Sequence, residues 1–145
     1  YNQQISPIQM LTFYNAIANE GKMVTPTLYK GETEVINPQI ASKANIDSLQ
    51  MALVKVVTEG LGKPAQSEKV QVAGVSGGSQ ISTDEDNSEG RVNTIYSVEY
   101  CGYFPAENPK YSIIVSMNKV GLPASGNLMA GSVFKEIVNY IEATK

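Results

Sequence analysis

Two neighbouring stretches of the sequence, TIYSVEYCGYF at residues 94–104 and YSIIVSM at residues 111–117, decide the class of fold. Both are rich in tyrosine, valine and isoleucine, the residues that favour pleated strands. The segment PAENPK at residues 105–110 separates them and breaks regular structure with its prolines. This arrangement predicts two antiparallel strands that are neighbours in a sheet. Upstream, the alternating residues from Val70 to Val75 predict a third strand.

Three segments around these strands have the periodicity of amphipathic helices. The first is predicted from Ser6 to Glu20, because Ser6 and Gln9 have the spacing of a capping box. The second is predicted within Lys43 to Glu59 and the third from Met129 to Ala143, each with apolar residues at three- to four-residue intervals. The sequence therefore predicts an α+β fold, with an antiparallel sheet of about three main strands packed against helices.

A polar segment from Ser82 to Arg91 contains no apolar side chain and is expected to be a solvent loop. Its acidic residues bring oxygen ligands close together, but they lack the spacing of an EF-hand loop, so no metal site is assigned. Gly77-Gly78 follow the third predicted strand with no helix pattern behind them. A bend or bulge is therefore a simpler interpretation of this pair than a phosphate-binding loop.

The composition limits the chemistry of the chain. It has 145 residues, a net charge of −3, one cysteine and no histidine. Catalysis by Ser-His-Asp or Cys-His groups cannot be assembled from these residues, no cofactor is indicated, and the acidic balance argues against nucleic acid as a partner. Cys101 lies in an apolar run and is expected to be a buried structural thiol. Because the chain begins at Tyr1, we expect a mature product or an excised piece of a longer protein.

Residues 72–80, VAGVSGGSQ, resemble the strand VAGKTGTAQ of the class B penicillin-binding proteins, which carries their K-T-G motif. The resemblance continues in order along nearly the whole chain, through ISPIQ at 5–9, YNAIANEGKMV at 14–24, VVTEGLGK at 56–63, GYFPAENPKY at 102–111 and VFKEI at 133–137. It implies the C-terminal half of a transpeptidase domain. Residues 1–145 are accordingly expected to form a single, partial domain of this kind.

The resemblance also implies where a substrate binds. The family carries a serine-lysine motif, an S-x-N segment and a K-T-G strand in that order, and the K-T-G strand lines the substrate groove and pairs with an extended peptide. When the family motif is aligned with this sequence, Val75 takes the position of the lysine and Ser76 that of the threonine. Gly77 takes the position of the glycine and Gly78 that of the following threonine. The first hydroxyl and the glycine are kept, and the cation is lost. These four residues are the predicted substrate-binding positions. For Ser76 the alternative is a strand hydroxyl that is satisfied by a neighbouring backbone group.

Literal matches to the other two motifs lie downstream of this strand, in the reverse of the family order. They are Ser116-Met117-Asn118-Lys119, Ser125-Gly126-Asn127 and Ser132-Val133-Phe134-Lys135. Because short patterns of common residues recur by chance, these matches are interpreted as coincidental. No catalytic residue is assigned, and the chain by itself is expected to be inactive.

By resemblance, the parent protein is a serine-type D,D-transpeptidase that cross-links peptidoglycan in cell wall synthesis or cell division. Its expected ligands are the peptidoglycan stem peptide and beta-lactams, and its expected place is the cell envelope, anchored on the periplasmic side of the inner membrane. The alternative is a non-catalytic pseudo-transpeptidase module that binds a cell-wall peptide or a division partner. The missing N-terminal half of the domain is an expected partner, and the isolated chain is expected to form a homodimer or a domain swap at high concentration.

Overall fold

A computed structural model describes residues 5–86 and 91–145 and confirms the α+β fold. The elements are α1 (Pro7–Ala18), β1 (Met23–Val24), β2 (Val35–Asn37), α2 (Lys43–Thr58), a 3-10 turn (Lys63–Ala65), β3 (Ala73–Asp86), β4 (Arg91–Phe104), β5 (Tyr111–Val120), a π-helical turn (Gly126–Ala130) and α3 (Gly131–Ala143). The main sheet is antiparallel with the order β3-β4-β5, and a two-stranded ribbon pairs β1 with β2.

Helix α1 begins at the predicted capping box. The Ser6 hydroxyl accepts a hydrogen bond from the Gln9 backbone N–H at 3.4 Å, and the Gln9 side chain accepts one from the Ser6 backbone N–H at 2.9 Å. The helix ends at Ala18, two residues before the predicted boundary. Glu20 and Gly21 have φ angles of 58° and 92°, so the chain turns out of the helical region there.

The two faces of the sheet are covered mainly by α3 and by α1, and α2 contributes side chains to both clusters. Paired residues of neighbouring strands share a face, and successive residues alternate between faces. One face carries an apolar cluster that we call the α3 core: Val57, Ala65, Val72, Tyr100, Phe104, Val115, Ala130, Phe134 and Val138. The other carries a smaller cluster that we call the α1 core: Ile17, Ala18, Leu53, Ala73 and Tyr103. These two clusters fix the sheet between the helices.

The hairpin of β3 and β4 is longer than the sequence predicts. The prediction of a solvent loop is wrong for residues 82–86 and for Arg91. Residues 82–86 belong to β3 and Arg91 belongs to β4, and the two strands pair as far as Asp86 and Arg91. Residues 87–90 of that segment lie outside the described residues. Ladder hydrogen bonds come from backbone groups, so a strand can continue through polar residues that carry no apolar signal.

Other features of the strands and helices also differ from the prediction. Strand β3 begins at Ala73 rather than at Val70, although the apolar residue just before it, Val72, is buried in the α3 core. The glycine pair at 77–78 lies inside β3 and is neither a bend nor a bulge, since the irregular register falls between Gln80 and Ser82. Helix α3 begins at Gly131, after a π-helical turn that the apolar periodicity does not reveal.

No helix within residues 5–86 and 91–145 combines the length and the apolar character that crossing a membrane requires.

Candidate functional site

The predicted substrate-binding residues lie on strand β3, at one edge of the main sheet. Within residues 5–86 and 91–145, β4 is the only strand that pairs with β3. Val75, Ser76, Gly77 and Gly78 are opposite Cys101, Tyr100, Glu99 and Val98 in turn. Val75 and Ser76 are half-buried, and both glycines are exposed. The structure therefore keeps the four residues together on an accessible edge strand.

Val75, at the position of the family lysine, points to the α1 side of the sheet. It packs against the α1 core, and its neighbours across the strands on that face are Cys101 and Ile114. A lysine in this place would have its stem against apolar side chains and its ammonium near the boundary with solvent. Valine instead extends the apolar packing and supplies no charge.

Ser76 points to the opposite, α3 side and lies under the π-helical turn. A Cβ on Gly126 would lie 2.6 Å from the carbonyl oxygens of both Gly77 and Glu99 and 2.9 Å from Ser76 Cβ. Only a glycine allows the turn to approach both strands this closely. The π-helical turn therefore covers the α3 side of the candidate site, which sequence reasoning missed because the turn has no apolar periodicity.

The literal motif matches do not form a nucleophile with an activating amine. Ser116 and Lys119 are three residues apart on β5 and so point to opposite faces, and Lys119 Nζ donates to the Val120 carbonyl oxygen at 3.3 Å. Ser132 Oγ donates to the Leu128 carbonyl oxygen at 2.7 Å, and Ser125 Oγ accepts from the Leu128 backbone N–H at 3.3 Å as a helix cap. The Ser125 and Ser132 hydroxyls therefore have local structural roles.

A polar surface continues from Val75 along the α1 side of the sheet. We call it the polar face and define it by Gly77, Ser79, Ser97, Glu99, Ser116 and Asn118. Glu99 lies at its centre and is half-buried, and the Ser116 hydroxyl donates to Glu99 Oε1 at 2.9 Å. Sequence reasoning did not single out Glu99, although it is the one charged residue in the stretch 94–104.

The cysteine is buried, as predicted, and lies beside this face. Burial, with the nearby Glu99 carboxylate as a smaller cause, raises the pKa of the Cys101 thiol to about 12. Burial is the main reason why the pKa of Tyr14 is raised, and the charge of Cys101 is a smaller one. Burial alone raises the pKa of Tyr103 to about 12. Cys101 is therefore protonated near neutral pH and is a packing residue, because the thiolate is the reactive form.

The described residues form an α+β domain in which β3 lies at an edge of the main sheet. The family model for the penicillin-binding protein transpeptidase domain matches residues 1–139, so the chain belongs to this family. The resemblance to a class B penicillin-binding protein fragment is thereby confirmed.

Individual relatives agree with this membership. Penicillin-binding protein 3 of Bacillus subtilis (strain 168) is 28% identical over 95 residues, which cover 62% of this chain and 14% of that protein. The transpeptidase domain of the FtsI4 D,D-transpeptidase from Legionella pneumophila superposes with a TM-score of 0.68 at 26% identity, over 97% of this chain and 47% of that one.

The fold is also that of the transpeptidase domain of penicillin-binding protein 3 from Burkholderia pseudomallei, with a TM-score of 0.75 at 24% identity. That superposition covers 99% of this chain and 44% of the other. The chain thus spans less than half the length of each of these relatives.

Proposed function

We propose that residues 1–145 are the C-terminal portion of a D,D-transpeptidase domain and form its peptide-binding sheet. The observation that carries this proposal is the edge position of β3, on which Ser76 is half-buried and Gly77 is exposed. An edge strand presents alternate backbone N–H and C=O groups that can pair with an extended peptide. The ligands of the parent protein are then the peptidoglycan stem peptide and beta-lactams, and its reaction is peptide cross-linking through a serine acyl-enzyme.

The nucleophile in this proposal comes from outside the chain. No described serine is hydrogen-bonded to a lysine amine, and the serines of the literal motifs are held by backbone groups or by Glu99. A serine hydroxyl is a weak nucleophile unless a neighbouring base activates it. We therefore propose that the chain is inactive alone and works within a parent protein in the cell envelope, anchored on the periplasmic side of the inner membrane.

A fluorescent penicillin tests both parts of this proposal. The label is expected on the full-length parent protein and absent from the 145-residue chain at the same concentration. A covalent adduct on the isolated chain would overturn the assignment of inactivity. An unlabelled parent, next to a labelled control transpeptidase, would overturn the enzymatic proposal.

The packing of Val75 favours a second candidate function. Because this side chain extends the α1 core and supplies no cation, the domain can keep its fold and bind a cell-wall peptide or a division partner without catalysis. Val75→Lys in the parent protein separates the two functions, with Val75→Met as the uncharged control of similar length. If the lysine variant is acylated by penicillin and the methionine variant is not, the domain is an enzyme that lost its cation. If neither variant is acylated and both still bind the partner, the domain is a binding module.

A third part of the proposal concerns assembly. Apolar side chains of α1 and α2 are exposed, including Ile8 at 50% and Met51 at 61%. We propose that the remainder of the transpeptidase domain covers such positions in the parent and that a second copy covers them in the isolated chain. Sedimentation velocity at rising protein concentration is expected to show a dimer. A monomer at millimolar concentration would contradict this expectation.

A further inference from the structure

Strand β5 forms the second edge of the main sheet. In the described part of the chain it pairs with β4 alone, and the register is regular from Tyr111 to Val120. Its outer backbone N–H and C=O groups have no strand partner there over 10 residues, a length of about 33 Å. An edge of this length is a surface on which another strand can pair.

The β5 edge lacks the features that keep edge strands from pairing. Residues 111–118 contain no charged residue and no proline, and Lys119 is the one charge in the strand. The β3 edge differs, because it contains three glycines and has an irregular register between Gln80 and Ser82. Charges, prolines and bulges are the usual protection of sheet edges. Of the two edges, β5 is therefore the one suited to joining a further strand.

The two sides of β5 differ in polarity. On the α3 side, Ile113 and Met117 pack against the α3 core, to which Val115 belongs. The α1 side is mostly polar and carries Ser112, Ile114, Ser116 and Asn118. A strand added beyond β5 continues both surfaces only if its own apolar residues lie on the α3 side.

A second copy of β5 meets this requirement. When two copies pair antiparallel about a two-fold axis at Val115, the two Val115 residues lie opposite each other and Ile113 lies opposite Met117 of the second copy. Tyr111 then lies opposite Lys119 of the second copy, and the lysine stem can cover the Tyr111 ring, which is 42% exposed. An axis at Ser116 would instead place Lys119 against the apolar Ile113. The sequence of the strand is thus self-complementary in the first register.

A groove lies at the outer side of β5, next to α1. It is lined by Ser112 of β5 and by apolar residues from α1 and from the segment around β1, namely Ile8, Leu11, Val24 and Pro26. In the register with the axis at Val115, Asn118 of the second copy lies opposite Ser112. Val120 of the second copy, a residue that is 59% exposed, then comes beside the groove on the same side of the sheet. The added strand therefore brings an apolar side chain to an apolar groove.

We infer that the β5 edge is the surface through which a second copy of the chain binds. The two three-stranded sheets then form one continuous sheet, with the α3 cores of both copies on the same face. This assignment rests on the self-association proposed above for the isolated chain and deepens it by naming the surface and the register.

Paired cysteines test the surface and the register together. In the double variant Ser112→Cys/Asn118→Cys, each new thiol lies opposite its counterpart in the second copy, with Cβ atoms about 4.5–5.5 Å apart and close to disulfide spacing. Mild oxidation is expected to give a covalent dimer. The two single variants are the matched controls, since their equivalent thiols lie about 20 Å apart across the axis and should not cross-link. The unmodified chain, with its buried Cys101, should also stay uncross-linked.

A pair of charge variants measures the same contact without a covalent bond. Ser112→Lys/Asn118→Lys places like charges opposite each other twice in the dimer, whereas Ser112→Asp/Asn118→Lys places opposite charges there. Sedimentation velocity is expected to give a dimer about tenfold weaker for the first variant than for the second. The difference should shrink as salt is added.

The outcomes separate this surface from self-association in general. If the unmodified chain is a dimer but the double-cysteine variant does not cross-link, or if the two charge variants dimerise equally, the β5 surface is overturned and self-association stands. Cross-linking of the single-cysteine variants would overturn the register and with it the assignment. A monomer at millimolar concentration would overturn the surface and the proposed self-association together.

Discussion

The two ends of the β3–β4 pair differ in burial although they belong to the same two strands. At the closed end, around Ala73 and Tyr103, helices pack on both faces and the side chains are 0% exposed. At the open end Gly77 is exposed and Glu99 is half-buried, and the π-helical turn packs on one face of the sheet. The difference indicates that the closed end provides most of the stability of the strand pair, while the open end stays accessible for the peptide binding proposed above.

Phe134 is the sharpest probe of the closed end. It is 0% exposed, and its ring centroid lies 4.9 Å from that of Tyr100. Phe134→Ala is expected to lower the free energy of unfolding by about 3–5 kcal/mol, because it leaves a cavity in the α3 core. Tyr140→Ala, at a 70% exposed position of the same helix, should cost no more than about 0.5 kcal/mol in urea unfolding. Equal losses would contradict the proposed role of the closed end.

Gly102→Ala tests how tightly the closed end is packed. A Cβ at this position would lie 2.5 Å from the Ala73 carbonyl oxygen and 3.0 Å from Phe134 Cζ. The backbone and an enclosed ring would both have to move, so the free energy of unfolding should fall by about 1–3 kcal/mol. Thermal and urea unfolding measure this loss, and a variant as stable as the unmodified chain would show that the strands can separate freely.

Alkaline pH should weaken the closed end through its buried thiol. The folded state raises the pKa of Cys101 from 9.0 to about 12, so it favours the protonated thiol. This contribution is complete below about pH 9 and is lost as the pH rises toward about 12, at up to about 1.4 kcal/mol per pH unit. Unfolding measured between about pH 8 and pH 11 should give a shallower decline for Cys101→Ala. Ser116→Ala, at the open end, should keep the original slope.

Gly77→Ala is the counterpart of Gly102→Ala at the open end and should have the smallest effect. A methyl group there meets no atom within 4 Å. The free energy of unfolding is expected to change by no more than about 0.5 kcal/mol. A loss as large as that of Gly102→Ala would show that the open end is also tightly packed and would remove the contrast between the two ends.

The closed end was the easier part to predict from the sequence. Apolar spacing predicted the helices that build it, and the capping box at Ser6 and Gln9 predicted where α1 begins. The open end was harder, because its contacts come from backbone pairing, from glycines and from a single acidic side chain. Glu99 acquires its surroundings only through the cross-strand register with Gly77 and Ser116, and the approach of Gly126 depends on tertiary packing. None of these relations has a periodic signal in the sequence.

The contact of Gly126 with both strands has a practical consequence for detecting ligands. Because the π-helical turn packs against the carbonyl groups of Gly77 and Glu99, a change in the geometry of the strands is expected to displace the turn. Leu128 lies in this turn and is 68% exposed. An environment-sensitive dye attached at position 128 would therefore report occupancy of the strand edge while leaving that edge unmodified.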